Sequence, residues 1–445
     1  MKSSRLVLAV ALASAGCAVL PEGEREERER ALAAGHAFDE RIDPLPLPEE
    51  PALEDYLRTA FHASAALQQR YWEWRAALER IPRAASPPDL ALSFAHLFDS
   101  GNLKAWDRTT LTLQSDPSTM IPLPSKLAAA GRVALEEARA AAARFEAEKF
   151  RLQAEVASTY LDLALHGALL ELQQRELRLL GLAAGATETR ARTGTASQAE
   201  LLQARTELDL AHNELANLHA QLPSLVARMN VLLGRHALHP APLPPLPEPR
   251  ALPATDGEIL RLAAERSPEL AALEHELAGR GEALELARLA RLPDFAFLLS
   301  LTGSLSQSVG ATFTLPLRLP AIRAGIEEAR AKLRAAEAAR EQYARELAAS
   351  FVLDLYVLRN AERQRELFER TLVPRAAALA AAARVAFEAG SGGLDEFVEA
   401  ARTQLEAERT LALLRIEREK ALVALESWSA LDVEALHPVR ASAGM

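Results

Sequence analysis

The sequence predicts a mainly α-helical fold with a small β part, written as two copies of one long-helix plan. Three observations predict it. Ala, Leu, Glu and Arg dominate, aromatics make up 5% and charged residues 25%, the profile of long helices and coiled coils. "LEEARA" at 135–140 recurs as "IEEARA" at 326–331, and "EVASTYLDL" at 155–163 echoes "ELAASFVLDL" at 346–355. Glu136 thereby pairs with Glu327, and Glu155 with Glu346, at one unchanged offset, which marks an internal repeat. Finally, each copy carries a pair of short β-prone runs ahead of its longest helix.

The first element is an export signal at 1–16. "MKSSR" supplies positive charge, "LVLAVALA" a short apolar core, and "SAGC" the processing region. The apolar run is too short to span a bilayer as a helix. Two processing routes fit: cleavage before Cys17, giving a lipidated cysteine, or cleavage after Ala15. Cys17 is the only cysteine, so it forms no intrachain disulfide, and its place after the apolar run favours lipidation. Ser14 stands where bacterial lipoboxes usually carry Leu. A lipidated, extended linker is expected over 17–50, ending in the Pro-rich "RIDPLPLPEEP".

The first repeat is expected over 51–238 and the second over 255–431, joined by the Pro-rich spacer 239–254 and followed by a tail at 432–445. Each repeat opens with a helix of moderate length, at 51–80 and at 255–291. The β-prone runs follow, at 89–98 with 107–115 and at 294–304 with 309–317. In the second pair, Phe295, Phe297, Leu299 and Leu301 alternate with Ala296, Leu298, Ser300 and Thr302. That period of two fits a barrel strand with lipid outside and water within, and equally a soluble half-buried hairpin. Four strands cannot close a barrel, so a membrane role requires strands from other chains.

A very long helix is then expected at 125–190 and again at 320–388, with a return helix at 197–234 and 393–429. Val156, Leu163, Leu170 and Leu177 keep a seven-residue spacing, as in a coiled coil. At 1.5 Å per residue the first of these helices reaches about 100 Å. Pro374 is expected to kink or locally break its helix. Between long and return helices, "RTGTASQAELLQA" at 192–204 answers "FEAGSGGLDEFVEA" at 387–400, with Gly194 matching Gly390.

The net charge of -10 argues against general nucleic-acid binding, and no Lys/Arg cluster with interleaved aromatics stands out. The sequence holds no phosphate-binding Gly loop, nucleophile elbow or H-E-x-x-H. No cofactor and no enzyme activity are therefore expected. His236 and His239 form a local pair without Cys or carboxylate support for a metal. Tyr71, Trp72 and Trp74 read as helix packing or interfacial aromatics rather than a stacking site.

In this order the chain resembles the TolC-like outer-membrane efflux proteins, the exit ducts of tripartite pumps and type I secretion systems. The likeness covers about 50–430. It rests on the duplicated plan and on "ERSPELAALEHELAGRGEALELARLARLPDFAF" (265–297), "TLPLRLPAIRAGIEEARAKLRAAE" (314–337), "LVPRAAALAAAARVAFEAGSGGLDEFVEAARTQLEAE" (372–408) and "MNVLLGR" (229–235). The resemblance implies a homotrimer in which each chain gives four strands to one twelve-stranded barrel and its long helices to a periplasmic α-barrel. It implies a passive conduit fed by an inner-membrane pump through a periplasmic adaptor, with Ala18 after Cys17 resembling lipoproteins sent to the outer membrane. The hairpin at 294–317 is shorter than a full extracellular loop of the family, so a low barrel is expected. The alternative is a non-conducting periplasmic scaffold or tether.

The resemblance also assigns candidate sites. Thr193, Gly194, Thr195, Ala196 and Ser197 form one adaptor-docking tip, and Ala389, Gly390, Ser391, Gly392 and Gly393 the other. Small residues there let a partner's helix tip approach the backbone. Asp395, Glu396 and Glu399, matched by Glu200 and Gln203 in the first repeat, are the candidate periplasmic gate. Threefold repetition would concentrate their charge at a constriction. The residues alone read equally as a solvated helix face.

Overall fold

The computed structural model describes residues 18–35, 47–48, 51–98, 104–115, 120–250, 255–389 and 391–429. Cys17, the export signal and Gly390 lie outside them. In chain order, α1 spans Glu24–Gly35, α2 Leu53–Ala63, α3 Ala65–Ala85, β1 Leu90–His96 and β2 Thr109–Ser115. The long helix α4 runs unbroken over Pro124–Arg192 and returns as α5, Gln198–Leu232. The second copy comprises α6 (Asp256–Arg266), α7 (Pro268–Leu289), β3 (Phe295–Thr302), β4 (Ser306–Phe313), α8 (Leu319–Leu367), a π turn (Phe368–Leu372), α9 (Val373–Glu388) and α10 (Leu394–Ser429).

The segment expected to be extended over 17–50 contains α1 instead. "EREERERALAAG" is rich in helix formers, and Arg25–Glu29 and Glu24–Arg28 pair one turn apart. The helix is held down by Arg28 on Glu79 (2.7 Å) and by the Arg30 guanidinium over the Trp74 ring (5.7 Å). Each repeat's opening helix is also split in two. Ser64 and Ser267 leave the helical conformation between α2 and α3 and between α6 and α7, and Pro268 forbids a continuous helix through Ser267.

The chain packs as two compact units. The first gathers Met1–His36, Gln69–Phe145 and Pro268–Ala344; the second gathers Ala37–Gln68, Glu146–Ser267 and Arg345–Met445. In the first unit Tyr71 and Trp74 are buried against Phe145, with ring centroids 6.2 and 5.7 Å away, while Trp72 is exposed. The aromatics of α3 are therefore largely core, as the sequence suggested. In the second unit one cluster joins Ile259, Phe351, Leu355, Leu358, Leu422 and Leu425, and another joins Leu161, Ala164, Ile416 and Val423 with Leu53 and Leu246. Burial beside Tyr160 pushes the Tyr56 phenol up to about 12.

The four strands form one antiparallel sheet in the order β1-β2-β3-β4. The register decides which side chains share a face. Leu92 pairs with Leu113, Leu113 with Leu299, and Leu299 with Val309. In the next rows Phe94 meets Leu111 and Leu111 meets Leu301, while Phe295 meets Phe313. One face is thus largely apolar across all four strands, with Gln307 opposite Leu301 and Ser115 opposite Leu90. The other carries Ser93, Thr112, Ser300 and Ser308 in a single row. The expected alternation is present in every strand, although β4 begins and ends earlier than 309–317. Gly303 sets that turn with φ +51°, and a Cβ there would meet the Asp107 Cα at 2.3 Å. Asp107 accepts the Ser304 N–H at 2.8 Å, which joins the two hairpin turns. Pro316 then ends the possible ladder, because it has no N–H.

At the strand feet, Lys126 donates to Asp294 (2.7 Å) and to the Leu292 carbonyl (2.8 Å). Deeper in the same unit, Glu136 ties α4 to α7 by accepting from His275 at 2.8 Å. Burial alone would raise the Glu136 pKa, but hydrogen bonds from His275 and Arg139 outweigh it and hold it below the ordinary 4.5. A depressed carboxylate contributes stability above its unfolded pKa and loses it as pH falls through the folded value. Glu136→Gln should therefore lower the thermal midpoint at about pH 7 and narrow the gap to wild type at about pH 3, read by calorimetry across that range.

Candidate functional site

Helix α4 ends because Gly194 turns it. Gly194 adopts φ +75°, where an L side chain costs roughly 1–2 kcal/mol. Its N–H donates to the Ala191 carbonyl (3.2 Å) and the Thr195 N–H to the Arg190 carbonyl (2.9 Å), the two bonds of a Schellman cap. The Thr193 hydroxyl lies 3.0 Å from both the Arg190 carbonyl and the Thr195 hydroxyl, so small polar side chains also cover the helix end. Ser197 then starts α5. Its hydroxyl accepts the Glu200 N–H (3.1 Å), and the Glu200 carboxylate accepts the Ser197 N–H (3.4 Å), a reciprocal capping box.

The second tip repeats two of the first tip's backbone bonds among the described residues. Ser391 and Gly392 both donate N–H to the Ala386 carbonyl at 2.9 Å, as Thr195 and Ala196 do to Arg190 at 2.9 and 3.2 Å. Ala389 is the C-cap at φ -78°. Phe387 and Phe397 stack across the hairpin (5.9 Å, 12°) above a small-residue contact of Ala380, Ala383 and Ala400. The starts of the return helices differ. Gly393 stands where the first copy has Ser197, and offers no side-chain cap. Gly392 is crowded, since a Cβ would meet Ala386 Cβ at 2.9 Å, whereas Gly393 faces open space.

The two hairpins lie side by side near their tips. Arg402 pairs with Glu207 (3.3 Å), Arg175 with Glu408 (2.7 Å), and Arg409 donates to Gln173 (2.9 Å). The Arg402–Glu207 pair sits about 15 Å along each helix from its tip, so both tips face one end of this unit. All of the described tip residues other than Ala196 and Gly392 are exposed.

The candidate gate residues divide by role. Glu200 is engaged in its capping box, and Gln203 donates to Glu207 (3.2 Å). Asp395 and Glu396 occupy the first turn of α10, where the helix dipole favours anions. Glu399 lines a groove of about 380 Å³ together with Arg402, Glu406 and Arg409 of the same helix and Glu176 of α4. Asp395, Glu396 and Glu399 are all exposed and make no ion pair with a described residue. Among the described residues no group of three or more His, Cys, Asp or Glu is arranged to hold a metal. No described helix is long and apolar enough to cross a membrane.

Two features were not anticipated. Arg250, at the end of the Pro-rich spacer, donates to Glu419 (2.9 Å) and Glu426 (2.6 Å), while the nearly buried Arg418 donates to the Arg250 carbonyl (2.5 Å) and to Glu362 (3.0 Å). Burial works against the Arg250 charge, yet Glu426 and Glu419 raise its pKa. This brace ties the spacer to α8 and α10. The other is the π turn before Pro374. A proline ring clashes with the carbonyl four residues back, and widening the helix relieves that clash; the Val373 N–H reaches back to the Phe368 carbonyl. Only Pro374 signalled it in sequence.

Comparisons with known proteins agree with this architecture. A profile of the family described as outer membrane efflux protein matches residues 56–235 and 259–430, well over half of the chain. A membrane protein from Pseudomonas aeruginosa superposes with a TM-score of 0.70 at 20% identity, covering 87% of this chain and 96% of that one. The Campylobacter jejuni CmeC outer membrane channel gives 0.72 at 14%, covering 86% and 87%. The open state of the Neisseria gonorrhoeae MtrE outer membrane channel gives 0.69 at 17%, covering 86% and 90%. At such identities the likeness establishes the fold. A search of curated sequences finds no match. The chain belongs to the outer membrane efflux protein family. It is an outer-membrane efflux channel, a transport protein and not an enzyme.

Ser197→Ala should speed hydrogen exchange at Glu200 and Leu201 about fivefold, the effect of losing roughly 1 kcal/mol of capping, without changing exchange at the second tip. Mass-spectrometric exchange on the intact protein reads both tips at once.

Proposed function

We propose that three copies of this chain assemble into a passive duct of a tripartite efflux system. Each copy gives four strands to a twelve-stranded outer-membrane barrel and two helical hairpins to a periplasmic tunnel. The observation that carries this reading is the sheet itself: a largely apolar face across all four strands, with β1 and β4 unpaired at its edges. In lipid those edges need partners, and other copies supply them. The apolar face of Leu92, Phe94, Leu299 and Val309 meets lipid, and the Ser/Thr row lines water. Strands of seven or eight residues make the barrel low.

The anchor is a lipid on Cys17. Its support is local: Val19 donates its N–H to the Ala85 carbonyl (3.0 Å), and Pro21 packs beside Gly131. Val19 is thereby held against the last residue of α3, five residues before β1 begins. The twin tips dock a periplasmic adaptor, which connects the duct to an inner-membrane pump that supplies the energy. Asp395, Glu396 and Glu399, with Glu200 and Gln203, form the gate above the tips. Exposed carboxylates repeated around a trimer oppose close approach and favour cations at the constriction. The gonococcal relative was captured open, which fits a gate of movable helices.

Assembly and conduction are checked together. The protein should fractionate with outer membranes as an SDS-resistant trimer and give stepwise conductance in planar bilayers; a soluble monomer without conductance contradicts the reading. Docking is best tested at Gly393, where an added Cβ meets nothing within 4 Å. Gly393→Trp should cut cellular efflux at least about tenfold while trimers and conductance persist. Unchanged efflux would exclude the tip as a docking surface.

A further inference from the structure

We infer that the turn end of the sheet is itself a lipid-binding surface, with Phe98, Trp106 and Leu305 seated at the boundary between acyl chains and headgroups rather than in water. The inference rests on the channel reading above and adds where the barrel stops and what its rim touches. The apolar face does not end with the ladder. By alternation Phe98 continues the column of Leu92 and Phe94 on β1, and Leu305, past Gln307, continues that of Val309 and Phe313 on β4. The Leu97 N–H still reaches the Arg108 carbonyl (3.0 Å), so the pleat persists up to Phe98. There the Phe98 ring packs edge-on against His96 (4.9 Å, 74°).

Strand length decides where those side chains lie. At about 3.4 Å per residue and about 40° of tilt, eight residues rise about 21 Å, whereas the lipid-facing band of an outer-membrane barrel is about 25 Å tall. Here β1 and β2 have seven residues, and β3 and β4 eight. Charge fixes the foot of the sheet, because Lys126 pairs with Asp294 (2.7 Å) just before β3 begins at Phe295. Leu315 and Leu317 lie past that row, outside the ladder. The missing height therefore falls at the turns, where Phe98 stands two residues beyond β1 and Leu305 one residue before β4.

The chemistry of the rim suits that level. Phe98 is 91% exposed, Trp106 62% and Leu305 57%, a crown of large apolar groups left open among the described residues. The turns meanwhile satisfy much of their own polar backbone. Ser304 donates its N–H to Asp107 (2.8 Å), Gly303 to the Thr109 carbonyl (3.0 Å) and Thr109 to the Trp106 carbonyl (3.0 Å). Lys104, two residues before Trp106, stays exposed. A long-stemmed cation beside an indole is the pairing of a membrane interface: the ring lies at headgroup level and the ammonium reaches outward to lipid phosphates. With Asp107 and Arg108 in the same turn, the charges exclude the hydrocarbon core and hold the rim at its border.

The test uses the full-length protein in phosphatidylcholine vesicles whose acyl chains carry bromine at set depths. The emission lost in Trp106→Phe isolates Trp106, since Trp72, Trp74 and Trp428 remain. That emission should fall at least about twofold with bromine near the headgroup, and less with bromine near the chain ends. No quenching, or quenching strongest at the chain ends, would overturn the inference. If Trp106→Phe fails to assemble, hydroxyl-radical oxidation of the wild type in plain vesicles decides. Trp106 should be oxidised within about twofold of the fully buried Trp74, and oxidation at least about tenfold faster would overturn the inference. Wild-type trimers that conduct while Trp106 stays in water overturn the lipid-seated rim alone. A wild type that neither assembles nor conducts overturns the channel reading on which it rests.

Discussion

Among the described residues the sheet leaves two strand edges without a partner, and the proposed assembly depends on them. The sheet ends in β1 on one side and β4 on the other, and its four strands present a single largely apolar face. In water such a face must be covered; in lipid the face is satisfied but the edges are not, since nothing there replaces a missing hydrogen bond. A monomer cannot meet both demands. The turn at Gly303, the Asp107 contact to Ser304 and the Lys126–Asp294 pair keep the register that sorts Leu and Phe from Ser and Thr. A slip of one residue would place the polar row in lipid.

The helical part shows what duplication achieved and what it left different. Thr195 and Ser391 both donate their N–H five residues back, to Arg190 and Ala386, so the two helix ends correspond at that bond. The copies then diverge. The first tip gains a capping box from Ser197 and Glu200, while the second begins α10 on Gly393. The first long helix, α4, is continuous, whereas the second is interrupted at the π turn and carries Glu369 between two arginines.

The helices were legible in sequence because composition and repetition act over many residues. The long helix expected at 125–190 is Pro124–Arg192, and the return helix at 197–234 is Gln198–Leu232. What escaped depended on single residues or on distant partners. Helix α1 carries weak apolar periodicity and is held by Glu79 and Trp74. The apolar alternation of Leu315 and Leu317 extended β4 on paper, but Pro316 cannot donate and those side chains stay exposed. Pro374 announced a disturbance, while its π form depends on how the widened turn repacks. The tips were placed by the repeat itself; the Arg250 brace joins residues too far apart in sequence for any local pattern to reveal.

The central claim, that other copies of this chain close the open edges, is tested by joining those edges covalently. Ser93 on β1 and Ser308 on β4 lie in one row on the polar face of the sheet. A Ser93→Cys/Ser308→Cys variant, treated in outer membranes with a short thiol cross-linker, should yield one dominant covalent species of three chains on a denaturing gel. Neither single variant should yield it. A double variant that stays monomeric, or that runs as an open ladder beyond three chains, would contradict closure of the sheet by a trimer.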